Sequence, residues 1–240
     1  MPSVIITGAD RGLGLSLCRE YLARGWTVFA GKYLSEYTLL EQLGAREARL
    51  HIVPLDVGDA RSIEAAAAVV DEAAGSLDML ISNAALMGRV SCSLYEPPMD
   101  LEAVWDAYRV NALGPVRLVT ACLPLLARAP TKRLCFISSE VSSIVLMQHS
   151  RDGGFPYPMS KTALNMGVRL MHNQLYGEGY TFRLFHPGWM KRRMPDGTLS
   201  EGAMYDPDDI GRIAAAYFDA PLGDEQRLVL VDYNGMEWTY

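Results

Sequence analysis

One feature restricts the folds open to this chain more than any other. Short apolar, β-leaning runs alternate with longer helical patterns from one end to the other. The strand candidates are Ser3–Thr7, Thr27–Ala30, Arg49–Pro54, Met79–Ser82, Arg133–Ser138, Thr181–His186 and Arg227–Val231. Between them lie helical segments at Leu13–Arg24, Glu36–Leu43, Ser62–Ala74, Leu101–Ala127, Tyr157–Tyr176 and Pro207–Phe218. A strand reaches a parallel neighbour only through a crossover of a dozen or more residues, usually a helix, so this order implies βαβ units with helices over both sheet faces. The chain of 240 residues, half of them hydrophobic, suits one sizeable core and is short for two ordinary domains. The expectation is a single α/β domain over residues 1–240, doubly wound, with a seven-stranded parallel sheet. Local punctuation agrees. Asp206-Pro207 offers an N-cap oxygen followed by proline at the first helical position, and Gly25 follows Arg24 as a left-handed helix end requires.

Several function classes drop out. A net charge of −6 gives no concentrated basic footprint for phosphate backbones, so no nucleic-acid partner is expected. Charges or glycine interrupt the apolar stretches well before the roughly 20 residues of a membrane span. Met1-Pro2-Ser3 runs straight into Val4-Ile5-Ile6 with no basic leader. Cys18, Cys92, Cys122 and Cys135 are scattered without a CxxC pair and read as reduced, mostly buried thiols of a cytoplasmic protein. His51, His149, His172 and His186 lack metal-ligand spacing, so no metal is expected, and His172 and His186 read as structural.

Directly after the first strand comes Thr7-Gly8-Ala9-Asp10-Arg11-Gly12-Leu13-Gly14, with a helical pattern following at once. A tight turn leaving a strand, backbone bare of Cβ, and a helix N-terminus together suit a dinucleotide pyrophosphate. This Gly-x-x-x-Gly-x-Gly turn resembles that of the short-chain dehydrogenase/reductase family, a Rossmann-type oxidoreductase fold. Further matches run through the whole chain: Leu55-Asp56-Val57 after the third strand, Asn83-Ala84-Ala85 after the fourth (alanine in place of the family's last glycine), Asn111 inside a helix, Ser138-Ser139 ending the fifth strand, Tyr157-Pro158-Met159-Ser160-Lys161, and Pro187-Gly188 after the sixth. The block Tyr157–Asn165 and the ending Asp232-Tyr233-Asn234-Gly235…Trp238 are most similar to the carbonyl-reductase-like branch that includes C-factor and sniffer proteins.

The resemblance implies an NADP(H)- or NAD(H)-dependent carbonyl reductase or alcohol dehydrogenase acting on a small carbonyl or alcohol. Its catalytic residues would be Asn111, Ser139, Tyr157 and Lys161. Its cofactor contacts would come from Gly8, Arg11, Gly12, Leu13, Gly14, Lys32, Asp56, Val57, Asn83, Ala84, Ala85, Tyr157, Lys161, Pro187 and Gly188. The chemistry fits the residue types. Tyrosine, with an ordinary pKa of about 10, is a poor acid near neutrality. A cation one helical turn on, about 4 Å away at an effective dielectric near 20, contributes roughly 4 kcal/mol toward lowering it. Ser139 would polarise the substrate carbonyl, Lys161 would also bind the nicotinamide ribose, and Asn111 would anchor a water relaying protons to Lys161.

Where NAD enzymes place an acid after the second strand, this chain has Lys32. Together with Arg11 it predicts NADP(H) over NAD(H) through a 2′-phosphate. Two features depart from the family. Ser139 and Tyr157 are 18 residues apart, so Val141–Pro156 is an enlarged loop, with Ser143 an alternative to Ser139. Arg192, within Lys191-Arg192-Arg193, replaces a threonine that usually meets the nicotinamide carboxamide; the basic run reads either as a solvated loop or as an anion-binding feature. Met147, Met190 and Met194 lie near the expected substrate mouth. The rival function is a nucleotide-binding sensor or interaction protein that keeps the fold without turnover. Helices around Asn111 and Tyr157 carry apolar residues on more than one face (Val116, Leu118, Val119, Leu123; Leu164, Met166, Val168, Leu170), which predicts a homodimer or homotetramer.

Overall fold

Seven parallel strands form the body of the sheet: β1 (Ser3–Ile6), β2 (Thr27–Lys32), β3 (Leu50–Pro54), β4 (Met79–Ser82), β5 (Arg133–Ile137), β6 (Thr181–His186) and β7 (Leu230–Asp232). The computed structural model describes residues 1–88, 100–146 and 154–239, so Cys92, Met147, His149 and part of the enlarged loop lie outside the described residues. The strand order is 3-2-1-4-5-6-7. It reverses between β1 and β4, which opens a crevice beyond their carboxyl ends, where open α/β sheets bind ligands. The doubly wound α/β fold is the expected one, with one addition. A short β8 (Glu237–Trp238) pairs antiparallel with β7, and β7 starts at Leu230 rather than Arg227. Asp232 explains the hairpin: its Oδ1 accepts from the Asn234 and Met236 N–H groups at 2.8 and 2.9 Å, and Gly235 takes a positive φ of +81°.

Two cores follow from the strand period of two. Val4, Ile6, Val28, Ala30, Met79 and Ile81 point to one face and pack under α1 (Gly12–Ala23), α2 (Leu39–Gly44) and α7 (Pro207–Asp219). Ile5, Phe29, Leu80, Leu134 and Phe136 point to the other and pack under α3 (Ala60–Ala74), α5 (Gly114–Ala127) and α6 (Pro156–Leu175). The expected caps form. Asp206 accepts from the Asp208 N–H at 2.8 Å ahead of Pro207, and Gly25 closes α1 with φ +86°.

The expected helix Leu101–Ala127 is interrupted. α4 (Leu101–Tyr108) and α5 are joined by a π turn, Arg109–Leu113, in which the Gly114 N–H reaches back to the Arg109 carbonyl. Pro115 has no N–H for the Asn111 carbonyl, which favours such a turn. Gly114 allows the close approach of β3's following loop, since a Cβ there would sit 2.7 Å from the Val57 carbonyl oxygen. By length and hydropathy alone Leu101–Ala127 matches a membrane span, contrary to the expectation of none that long; yet half of its most apolar window is buried. Leu118, Val119, Cys122, Leu125 and Leu126 belong to the core over β4 and β5.

Candidate active site

The candidate residues gather at the carboxyl ends of β1 to β6. After β1, Gly8 (φ +63°) and Gly12 (φ +53°) adopt conformations that other residues rarely hold. Gly14 is fixed by space, because a Cβ there would overlap the Gly8 carbonyl. Leu13 anchors the turn in the core, and α1 starts at Gly12 without a side-chain cap from Arg11. Its first-turn N–H groups therefore suit an anion. Across the crevice, Thr7 Oγ1 accepts from the N–H groups of Asn83 and Ala84 at 3.0 and 2.9 Å. Asn83 Nδ2 donates to the Thr7 and Gly8 carbonyls at 2.9 and 3.1 Å. Asn83 thus acts on the cradle by holding the glycine turn in place. Ala84 closes on Gly8, and Ala85 is exposed. Asp56 Oδ1 accepts from the Gly58 N–H at 2.7 Å and so shapes the turn after β3, with Val57 buried beside it. Gly188 (φ +75°) follows Pro187 and lies against the rings of Tyr205 and Tyr233, where a Cβ would come within 2.9 Å.

The proposed catalytic group assembles between β5 and α6. Tyr157 opens α6, and Lys161 lies one turn on with its Nζ 5.6 Å from the phenol ring centre. Ser139, after β5, is near enough to the Tyr157 phenol to favour its ionised form. Ser143 points elsewhere, accepting from the Leu146 N–H at 3.2 Å and donating to the Thr239 carbonyl, so Ser139 is the serine at the site. Beneath it, Ser138 donates to Asn165 Oδ1 and Asn165 Nδ2 donates to Ser142 Oγ, both at 2.7 Å. Asn111 is fully buried in the π turn. Its Oδ1 accepts from the Leu86 N–H at 2.7 Å, and its Nδ2 donates to the Leu86 carbonyl at 2.7 Å and to Ser160 Oγ at 2.9 Å. It therefore ties the loop after β4 to α6, with no direct bond to Lys161.

The expected electrostatics of the pair are reversed. Burial pushes the Tyr157 phenol up to about 12, with the neighbouring Ser139 opposing, rather than Lys161 drawing it down. The same burial takes the Lys161 ammonium down to about 7. Lys161 is 2% exposed, donates to the Ile137 carbonyl at 2.8 Å, and has lost much of the charge that was to lower the phenol.

A glycine-lined cradle beside a Ser–Tyr–Lys group is the arrangement the sequence resemblance implied, and the short chain dehydrogenase family model matches residues 2–201. The chain belongs to the short-chain dehydrogenase family. An uncharacterized oxidoreductase of Schizosaccharomyces pombe is 36% identical over 194 residues, 79% of this chain and 74% of the relative. The structure resembles NADPH-bound carbonyl reductase from chicken fatty liver, with TM-score 0.86 and 29% identity over 100% of this chain and 99% of that one. It resembles carbonyl reductase Sniffer of D. melanogaster equally, with TM-score 0.86 and 26% identity over 100% of both chains. These likenesses place this short-chain dehydrogenase in the carbonyl-reductase-like branch, a group of oxidoreductases.

Two expectations about charge change. Lys32, at the end of β2, forms an ion pair with Glu41 of α2, and Arg11 donates to the Tyr37 hydroxyl with its guanidinium 4.8 Å from that ring's centre. In the basic run, Arg193 is neither solvated nor open to an anion. Its guanidinium donates to Asp208 Oδ2 at 2.8 Å and to the Gly197 carbonyl at 3.2 Å, and Asp208 also meets Ser16 and Arg19 of α1. The hairpin 189–205 is thereby clamped to the helix that follows the glycine turn. His186 is buried against the rings of Tyr233 and Trp238, as a structural histidine would be.

The sequence reading gave no role to Thr7, Ser138, Ser142, Ser160 or Asn165, though they lie in or beside its motifs, and missed Glu41 and Tyr37. Asn165 alone had a readable signal: it lies one turn beyond Lys161 and two beyond Tyr157, on the same helix face.

Proposed function

We propose that this short-chain dehydrogenase interconverts a small carbonyl compound and its alcohol with NADP(H), Tyr157 serving as the acid or base. The observation carrying this reading is the grouping of Ser139 with the Tyr157 phenol, with Lys161 one turn beyond. The residues present suit a dinucleotide: side-chain-free backbone at Gly8, Gly12 and Gly14, an uncapped helix start, and Gly188 opposite. Gly8, Gly12, Leu13, Gly14 and Arg11 would hold the phosphates, Asp56 and Val57 the adenine edge, and Pro187 and Gly188 the nicotinamide side. When bound, that cofactor exchanges a hydride with the substrate carbon. Ser139 donates to the carbonyl oxygen, and Tyr157, neutral at pH 7, delivers a proton to that oxygen as the alcohol forms. In the oxidative direction the phenol must first lose its proton. Asn111 and Asn165 fix the loops on either side.

Consumption of NADPH with a panel of ketones and quinones tests the reading. Tight cofactor binding without turnover on any of them favours the sensor instead. NADP(H) preference rests on Lys32 and Arg11, supported by chicken carbonyl reductase, which is NADPH-bound. Replacing Lys32 by Asp should reverse or erase a preference of about tenfold, through repulsion of the 2′-phosphate and a new acceptor for the ribose. Direct titration checks this, and equal wild-type affinity for NAD(H) and NADP(H) would show the preference to be wrong.

Assembly is the second part of the proposal. Leu118, Val119, Leu164 and Val168 are core, but Met166 and Leu170 of α6 and Leu101 and Trp105 of α4 are exposed large apolar side chains. Covering that face with a second copy gives a homodimer, or a tetramer of two. Light scattering at micromolar concentration should give at least twice the chain mass, and a monomeric mass overturns this. Cys18, Cys122 and Cys135 are buried free thiols, which supports a cytoplasmic setting.

A further inference from the structure

Lys32 is not the unopposed cation that its place at the end of β2 suggests, because Glu41 is already on it. We propose that Glu41 sets how strongly this protein discriminates NADP(H) from NAD(H), acting as a built-in competitor of the cofactor's 2′-phosphate for Lys32. The inference rests on the NADP(H) reading above.

The backbone that carries the carboxylate is held in place by the fold. Glu41 is in the first turn of α2, whose Leu40 is fully buried in the core, and Tyr37 just before it is buried too. The segment is also fastened to the glycine turn. Asp10 Oδ1 accepts from the Tyr33 and Leu34 N–H groups at 2.8 and 2.9 Å, and Arg11 reaches Tyr37. Glu41 therefore cannot swing away with a loose loop when a phosphate arrives.

The two cations differ in consequence. Arg11 meets the hydroxyl and ring of Tyr37 rather than a carboxylate. Lys32 meets a carboxylate, so a phosphate there must share the ammonium or displace the acid, at close range to a like charge. Asp10, held by the Tyr33 and Leu34 N–H groups, also interacts with Lys32, so Lys32 faces two carboxylates, of which only Glu41 is paired directly with it. Glu41 is about half exposed, with 46% of its side-chain surface accessible, so water and salt screen the competition. Its effect is accordingly modest, about two- to fivefold in affinity. An adenosine ribose with a free 2′-hydroxyl brings no such charge and is indifferent to it.

The test titrates the full chain by calorimetry with adenosine 2′,5′-bisphosphate and with 5′-AMP, at low and at about 0.15 M salt. Glu41→Gln should tighten the bisphosphate about two- to fivefold, leave 5′-AMP unchanged, and lose part of that gain at the higher salt. An unchanged or weakened bisphosphate affinity in Glu41→Gln overturns the inference; weakening would mean that Glu41 instead holds Lys32 ready for the phosphate. Lys32→Gln separates this from failure of the underlying reading. If wild type and Lys32→Gln both bind the two adenosine compounds equally, the NADP(H) reading itself fails. If Lys32→Gln abolishes a wild-type preference while Glu41→Gln does nothing, only the role of Glu41 is lost.

Discussion

Replacing Tyr157 by phenylalanine is expected to lower kcat by about 10²- to 10⁴-fold while leaving cofactor affinity nearly intact. The ring that packs at the start of α6 is retained, and only the hydroxyl near Ser139 is removed. Because burial pushes that phenol up to about 12, it holds its proton across the physiological range and suits delivery to a developing alkoxide. Turnover in the oxidative direction, which needs the deprotonated phenol, should rise steadily toward alkaline pH. Steady-state rates in both directions, with NADPH titration as the control, check the assignment. A phenylalanine variant that turns over at near the wild-type rate removes Tyr157 from the mechanism.

The second large effect pairs lost function with gained stability. Lys161→Met should abolish measurable turnover and weaken cofactor binding, yet melt at a higher temperature than wild type near neutral pH. Burial lowers the folded-state pKa of Lys161 from 10.5 to about 7, so the unfolded chain binds the extra proton between those values. Stability contributed by this residue therefore rises with pH across that window. Its destabilising cost is fully present below about pH 7 and gone above 10.5. Methionine keeps the length of the side chain and removes the charge, at the loss of one hydrogen bond to the Ile137 carbonyl. The net gain at pH 7 is on the order of 5 °C, shrinking toward pH 10.5, the ordinary lysine value. Scanning calorimetry of both proteins at several pH values decides it. A methionine variant that is less stable than wild type at every pH would show that Lys161 is held by more than its burial implies. A gain of this kind is what a site kept for chemistry at the expense of stability predicts.

Much of this was legible in the chain because it is written in local spacing. The alternation of apolar runs with helical patterns fixed seven parallel strands, since each crossover is a contiguous stretch of sequence. Three glycines in seven residues marked the turn where only backbone fits, and the four-residue interval from Tyr157 to Lys161 put both on one helix face. What the tertiary structure alone decided involves partners far apart in the chain. Ser139 rather than Ser143 faces the phenol because Thr239, near the other end of the chain, takes the Ser143 hydroxyl. Arg193 is a strut because it donates to Asp208 of α7, which in turn accepts from Ser16 of α1. The loop after β3 closes on the helix around Asn111 because Gly114 leaves room for Val57, more than fifty residues away in the chain. The pKa order of Tyr157 and Lys161 was misjudged for the same reason. Spacing gives the distance between two groups on a helix, but desolvation sums over everything packed around them, and that exists only once the chain has folded.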